Sequence, residues 1–341
     1  MPPESSSATG SSVAIADIVG IKERTPLQRM IGAQSFWVAV ALFIICGLMS
    51  AVYPNAFGTG ENFYNITRNF SFIGIMAIGM TTVIITGGID LSVGSVMGVV
   101  GITIGVIMHA GYHWILAIGG GLFAGLICGL FNGLLITYLG LSPFVVTLGT
   151  LSIARSIAVV MSQNKMIYDF GPYANQFFAI FGGESFGIAN SVWVLLVMAV
   201  GLALVLRLSV WGRHLFAVGG NEHAAQLTGV PVRRVKLQAY VFCSICAAIA
   251  SIMILGWQGS AINALGIGYE LRVIASTVIG GANLMGGEGG AFGAFVGAAL
   301  IEVIRNSLLM AGVDSNYQGI FVGAFIILAV LLERVRGRKR E

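Results

Sequence analysis

The sequence predicts an all-α polytopic membrane protein with roughly ten transmembrane helices, one of them short or broken. Three observations carry that prediction. Charged residues make up 9% of the 341-residue chain and hydrophobic residues 57%, whereas about a quarter of an average soluble domain is charged. The mean hydropathy of +0.90 implies more apolar surface than a soluble fold of this length can hide. The apolar residues also come in runs of about 20, the length that crosses a hydrocarbon core of about 30 Å.

Residues 1–20, within an expected tail 1–30, are Ser-rich and end in a short apolar patch interrupted by Asp17. No basic stretch precedes an apolar core there, so a disordered cytoplasmic tail is expected rather than a cleaved signal. Lys22, Arg24 and Arg29 precede the first span, near Ala33–Val52, and the cytoplasmic bias of Lys and Arg puts the N-terminus inside. The loop Tyr53–Asn65 lacks Lys and Arg and reads as external. Further spans read as Ile66–Thr86, Leu91–Met108, Ile115–Leu139, Phe144–Met161 and Val192–Trp211, then Leu237–Gly256, Leu271–Gly281, Gly290–Met310 and Gln318–Leu332. The piece Leu271–Gly281 is short and bounded by glycines, the mark of a broken or re-entrant helix, tolerable only when buried in protein. An even number of spans returns the chain to the cytoplasm, where the basic tail 333–341 carries Arg334, Arg336, Arg338, Lys339 and Arg340. The loop Gln163–Asn190 faces out. One transmembrane domain, residues 31–332, is therefore expected between two cytoplasmic tails.

The stretch 213–236, RHLFAVGGNEHAAQLTGVPVRRVK, is a polar island after the sixth span. It reads as a short helix of about seven residues with both ends marked. Asn221 can N-cap it and Glu222 sits in its first turn, where the helix dipole favours an anion. Gly229 suits the left-handed position after its end, and Pro231 bars continuation. Ala224 and Ala225 leave one face thin, so a partner backbone can come close, and Leu227 offers an apolar anchor. Two readings stand side by side: an element on which force is applied from outside, or a positive connecting loop with an incidental helix.

Glycine occurs 48 times, about twice its usual frequency of roughly 7%, as in helices that approach closely or line a cavity. GGIDLSVG (87–94) is faintly repeated as GGANLMGG (280–287). By the topology above, both turns lie on the cytoplasmic side.

Several polar residues fall within or between spans. Asp90, the only acid between Glu61 and Asp169, lies at a helix junction with Ser92. It is either a hydrogen-bonding site for a polar solute or hinge, or Asp90 or Ser92 is an N-cap of the next span. Arg155 lies well inside an apolar span. Glu302 and Arg305, three residues apart, can pair on one face, as a pathway element or as a structural pair. Asn132, Thr147, Thr150, Asn283 and Asn306 add polar points suited to interhelical hydrogen bonds or solute contact.

No catalytic signature appears. No phosphate-binding G-x-x-x-x-G-K-[ST] loop is present, so any ATP must be bound by another chain, and no cofactor is expected. Cys46, Cys128, Cys243 and Cys246 lie in apolar segments and read as small hydrophobes, and Cys243-x-x-Cys246 has no second pair for a metal. His109 and His113 are expected in an outer turn rather than on a zinc helix. The net charge of +4 resides in loops and tails, so it reports topology and not nucleic-acid binding.

Four extended motifs, GGIDLSVGSVMG (87–98), PFVVTLGTLSIARS (143–156), AVGGNEHAAQLTGVPVRRVK (217–236) and GYELRVIASTVIGGANLMGG (268–287), resemble the permease subunits of ribose-type ABC sugar importers. They occur in the family's order, so the resemblance covers nearly all of residues 66–332. Asn283 and His223 depart from the usual pattern, which bears on the solute. The resemblance implies the ABC importer permease fold in the bacterial inner membrane. Its partners would be a second permease copy as a homodimer, an ABC ATPase and a periplasmic sugar-binding protein, with lipid around them. It implies that the island, through Asn221, Glu222, His223, Ala224, Ala225, Leu227 and Gly229, docks on the ATPase. Asp90, Ser92, Asn132, Thr147, Arg155, Asn283, Glu302 and Asn306 are the candidate translocation-path residues. The rival functions are an ion-coupled secondary carrier, for which Asp90 would be the titrating carboxylate, and a passive channel for small polar solutes.

Overall fold

The computed structural model describes residues 31–314 continuously and, beyond them, residues 317, 319–321, 323, 324 and 327. The expected tails and the expected span Gln318–Leu332 lie outside the continuously described residues. Among the described residues, seven helices are long and apolar enough to cross a membrane. They are α1 (Gln34–Val52), α2 (Gly60–Ile85), α4 (Trp114–Thr137), α5 (Pro143–Met161), α6 (Asn190–Leu208), α9 (Val232–Gln258) and α11 (Ala291–Met310). Interleaved with them are α3 (Val93–His109), α7 (Val210–Gly220), α8 (Glu222–Leu227) and α10 (Tyr269–Ile279). A two-residue hairpin, β1 (Glu184–Ser185) with β2 (Ile188–Ala189), closes the long loop before α6.

Of the seven membrane-length helices the most buried are α2 and α9, which pack on each other; α9 also packs on α3 and α4. They are rich in Ile, Met, Ala and Cys, and Cys243 and Cys246 are fully buried against α2 beside Gly79. By contrast α1, α4, α5 and α6 expose much of their apolar length, Phe43 and Val160 about three-quarters, as helices in lipid do.

Several helix boundaries differ from expectation: α2 begins at Gly60, within the expected loop Tyr53–Asn65, and α9 begins at Val232, within the island. The sixth span ends at Leu208, not Trp211, because the Ser209 hydroxyl accepts the Gly212 N–H at 2.9 Å and starts a new helix, α7. Trp211 and Leu215 had the composition of a continuing span, but only the cap separates them from it. The short span Leu271–Gly281 is the 11-residue α10, about 17 Å long. It is preceded by a run of turns, residues 259–268, which lies along α3 from Gly105, beside Ala261, to Gly94, beside Gly266. The expected break is therefore real, and it is packed in protein.

The two glycine-rich turns meet at the end of the bundle that carries the polar island. Gly287 N–H donates to the Ile85 carbonyl at 2.9 Å, and Gly219, near the end of α7, presses on the same carbonyl. A Cβ added at Gly219 would sit 1.7 Å from Ile85 O and 2.5 Å from Gly287 N. Gly219→Ala is therefore expected to destabilise the fold by about 1–3 kcal/mol through overpacking, lowering the unfolding temperature in detergent. Gly220→Ala, whose Cβ would meet nothing within 4 Å, is expected to be neutral or slightly stabilising.

Candidate functional site

The island folds as the sequence predicts at both of its marked ends. Asn221 Oδ1 accepts the Ala224 N–H at 2.9 Å, capping α8. At the other end Val230 N–H donates to Ala225 O at 3.0 Å and Gly229 N–H to Gln226 O at 3.1 Å, a Schellman ending with Gly229 at φ +85°. Glu222 is held to α9 by Lys236 Nζ at 2.5 Å, which sets the direction of the rod. Leu227 is 76% exposed, and Glu222, His223, Ala224 and Gln226 are also exposed.

Ala225 corrects the expectation of a thin outer face. It is only 4% exposed and belongs to the chain's own core. Its methyl is the foot on which α8 stands, so the outward face consists of His223, Ala224, Gln226 and Leu227. Helical spacing marks Ala225 as small; only the packing shows which way it points.

Inside the bundle a buried polar chain joins three elements. Thr150 Oγ1 of α5 donates to Asn132 Oδ1 of α4 at 2.5 Å, and Asn132 Nδ2 donates to Ser92 Oγ at 2.9 Å. The Ser92 hydroxyl donates to Asp90 Oδ1 at 2.6 Å, which also accepts the Ser92 N–H at 2.8 Å. Ser92 occupies the N-cap position of α3 without a side-chain capping bond, and Asp90 bonds Ser92 itself. Neither is a conventional N-cap. Asp90 Oδ2 and the Tyr240 hydroxyl, which sits over Gly88, are both buried without a hydrogen-bond partner.

The other expected path residues do not join this chain. Thr147 donates to its own helix at Pro143 O, 2.8 Å. Arg155 Nη1 donates to the carbonyls of Asn263 and Leu265, each at 2.7 Å, and so satisfies the broken segment. Glu302 is 1% exposed and ion-paired with Arg305, whose Nε donates to Oε2 at 2.8 Å. Asn306 exchanges amide hydrogen bonds with Asn62 of α2 at 2.9 and 3.1 Å. Asn283 makes a turn, its Oδ1 accepting the Met285 N–H at 2.8 Å, and lines an open cleft of about 440 Å³ with Gln34 and Gly281. Sequence reasoning missed Tyr240 and Glu270. Glu270 had a signal, being an acid in the first turn of a span too short to cross the membrane.

Asn132→Leu keeps the branched shape and removes the acceptor of the buried Thr150 hydroxyl, while the Ser92 hydroxyl keeps Asp90. A loss of about 1–3 kcal/mol per unmet group is expected, read as a lower unfolding temperature in detergent. Ser152→Ala, on an exposed position of α5, should leave that temperature unchanged.

A family model described as "Branched-chain amino acid transport system / permease component" matches residues 62–330. The chain is 36% identical to the probable ABC transporter permease protein y4mJ of Sinorhizobium fredii, over 89% of this chain and 90% of that protein. It is 33% identical to the ribose import permease protein RbsC of Escherichia coli K12, over 86% and 92% of the two chains. It is 36% identical to RbsC of Bacillus subtilis, over 86% and 91%. No solved structure matches. With a family match over residues 62–330, seven membrane-length helices and these relatives along most of its length, the chain belongs to the permease family of ABC importers, as a multi-pass inner-membrane protein of the ribose type.

Proposed function

We propose that this chain is the translocating subunit of an ATP-driven importer for a monosaccharide or related polyol, working as a homodimer with a separate ATPase and a periplasmic binding protein. The relatives named for ribose supply the solute class. The island end of the bundle is the cytoplasmic end, both termini lie there, and α8 is the element on which the ATPase docks. The observation that carries this reading is the geometry around α8. A rod capped at both ends and pinned by Lys236 presents Leu227 outward. The adjoining α7, through Gly219, abuts the Ile85 carbonyl and the turn at Gly287. Movement imposed on α8 and α7 is thereby passed by backbone contact to both glycine-rich turns, and so to the helices α2, α3, α10 and α11 that they join.

In this reading the polar chain through Asp90, Ser92 and Asn132 holds α3, α4 and α5 in register as the bundle changes its opening. Thr147, Asn283, Glu302 and Asn306 stay as path candidates of lesser reach, because each is engaged with its own surroundings. Selection of the solute rests mainly with the binding protein, so sparse polar contacts within the permease suffice.

Leu227→Asp is the test. Loss of an apolar interface anchor costs about 2 kcal/mol or more, so association with the ATPase should weaken roughly 30-fold, with normal membrane insertion and uptake lost in parallel. Gly229→Val should act in the same direction, because a β-branched residue at φ +85° is strained. Gln238→Ala, exposed on α9 beyond the island, should assemble and transport like the parent. Parent-like ATPase binding and uptake by Leu227→Asp would sink the docking assignment.

A further inference from the structure

The break before α10 gathers two opposite charges, Arg155 and Glu270, on a face with exposed positions. Arg155 is the thirteenth residue of the 19-residue α5, about 18 Å from one end of the helix and 9 Å from the other. That is hydrocarbon depth. Its Nη1 lies beside Gly98 of α3, and Glu270 Oε2 lies beside Gly94, one helical turn away. Both side chains are half-buried, and Ile267 and Leu271 next to Glu270 are 64% and 52% exposed. Among the described residues no ion pair within 4.0 Å joins Arg155 to Glu270. Glu270 Oε1 accepts the Gly268 N–H at 3.2 Å, so the hydrogen bonds of both charges go to the backbone of the break.

We propose that Arg155 and Glu270, seated over Gly98 and Gly94 of α3, form a polar station on the solute path, on a face covered by water and the second permease copy rather than by lipid. Ionisable groups at this depth face a bundle interior or a water-filled cavity, because lipid exposure is too costly. The chemistry suits the solute class. A guanidinium has donors only and a carboxylate acceptors only, and a sugar hydroxyl is both. Two opposite charges held about one turn apart carry no net charge, so the station favours a neutral polyhydroxylated solute over an ion of either sign. Glycine at positions 94 and 98 makes room first for the backbone of the break, since a Cβ there would lie 2.2 Å from Gly266 O and 2.9 Å from Leu265 O, and then for the two charges, at 2.5 Å from Glu270 Oε2 and 3.0 Å from Arg155 Nη1.

This inference rests on the importer reading for its solute but not for its water-filled face, and two measurements keep them apart. In the assembled transporter, Leu271→Cys should react with a charged, membrane-impermeant thiol reagent, and Phe123→Cys, exposed on α4, should not. The parent gives the background, since its four cysteines are buried or half-buried. Glu270→Gln keeps the shape and should lower ribose uptake roughly tenfold, the worth of one hydrogen bond to a charged group, with ATPase association unchanged. Labelling of Leu271→Cys in a parent that takes up no monosaccharide would keep the water-filled face and remove the solute class. A Leu271→Cys that reacts only with a lipophilic maleimide, or a Glu270→Gln that folds, assembles and takes up ribose at the parental rate, would overturn the station.

Discussion

Where the island meets the membrane bundle, three backbones touch with no side chain between them. The Ile85 carbonyl ends α2, receives the Gly287 N–H, and is pressed by Gly219 of α7. A methyl group at Gly219 has no room. Side-chain contacts can slide as rotamers change, but a backbone-to-backbone contact moves only if the elements move. The arrangement of α7, α8 and the two glycine-rich turns depends on this junction.

From that junction inward the order is kept by burial and by one polar chain. The central helices α2 and α9 supply apolar packing but little direction, because small and flexible side chains such as Ala, Met and Cys fit in many ways. Direction comes from the hydrogen bonds through Thr150, Asn132, Ser92 and Asp90. Each buried hydroxyl or amide there has its partner on another element, so a shift of register strands a polar group in a medium without water. The reciprocal pair of Asn62 and Asn306 does the same for α2 and α11.

The break before α10 shows how a membrane protein keeps non-helical backbone at depth. Residues 259–268 cannot satisfy their carbonyls within a helix, and Arg155 supplies donors to two of them. The charge that solves the backbone problem also brings polarity to a face with exposed positions.

What the sequence determined by itself was whatever rests on short spacing and composition. Apolar run lengths set the membrane class and most span positions. Asn221 and Gly229, eight residues apart, bounded α8, and the i, i+3 spacing brought Glu302 to Arg305. Local hydrogen bonds and helix periodicity decide these features, so they are legible in a few neighbouring residues. The tertiary structure alone decided the direction of Ala225, whose methyl faces inward. It also decided the end of the sixth span at Ser209 and the partners of Arg155, which lie 108 and 110 residues away in sequence. In the same way it gathered Asp90, Ser92 and Asn132 with Thr150 and left Thr147 and Asn283 apart. Those outcomes depend on which helix faces meet, and residue type and spacing do not encode that pairing.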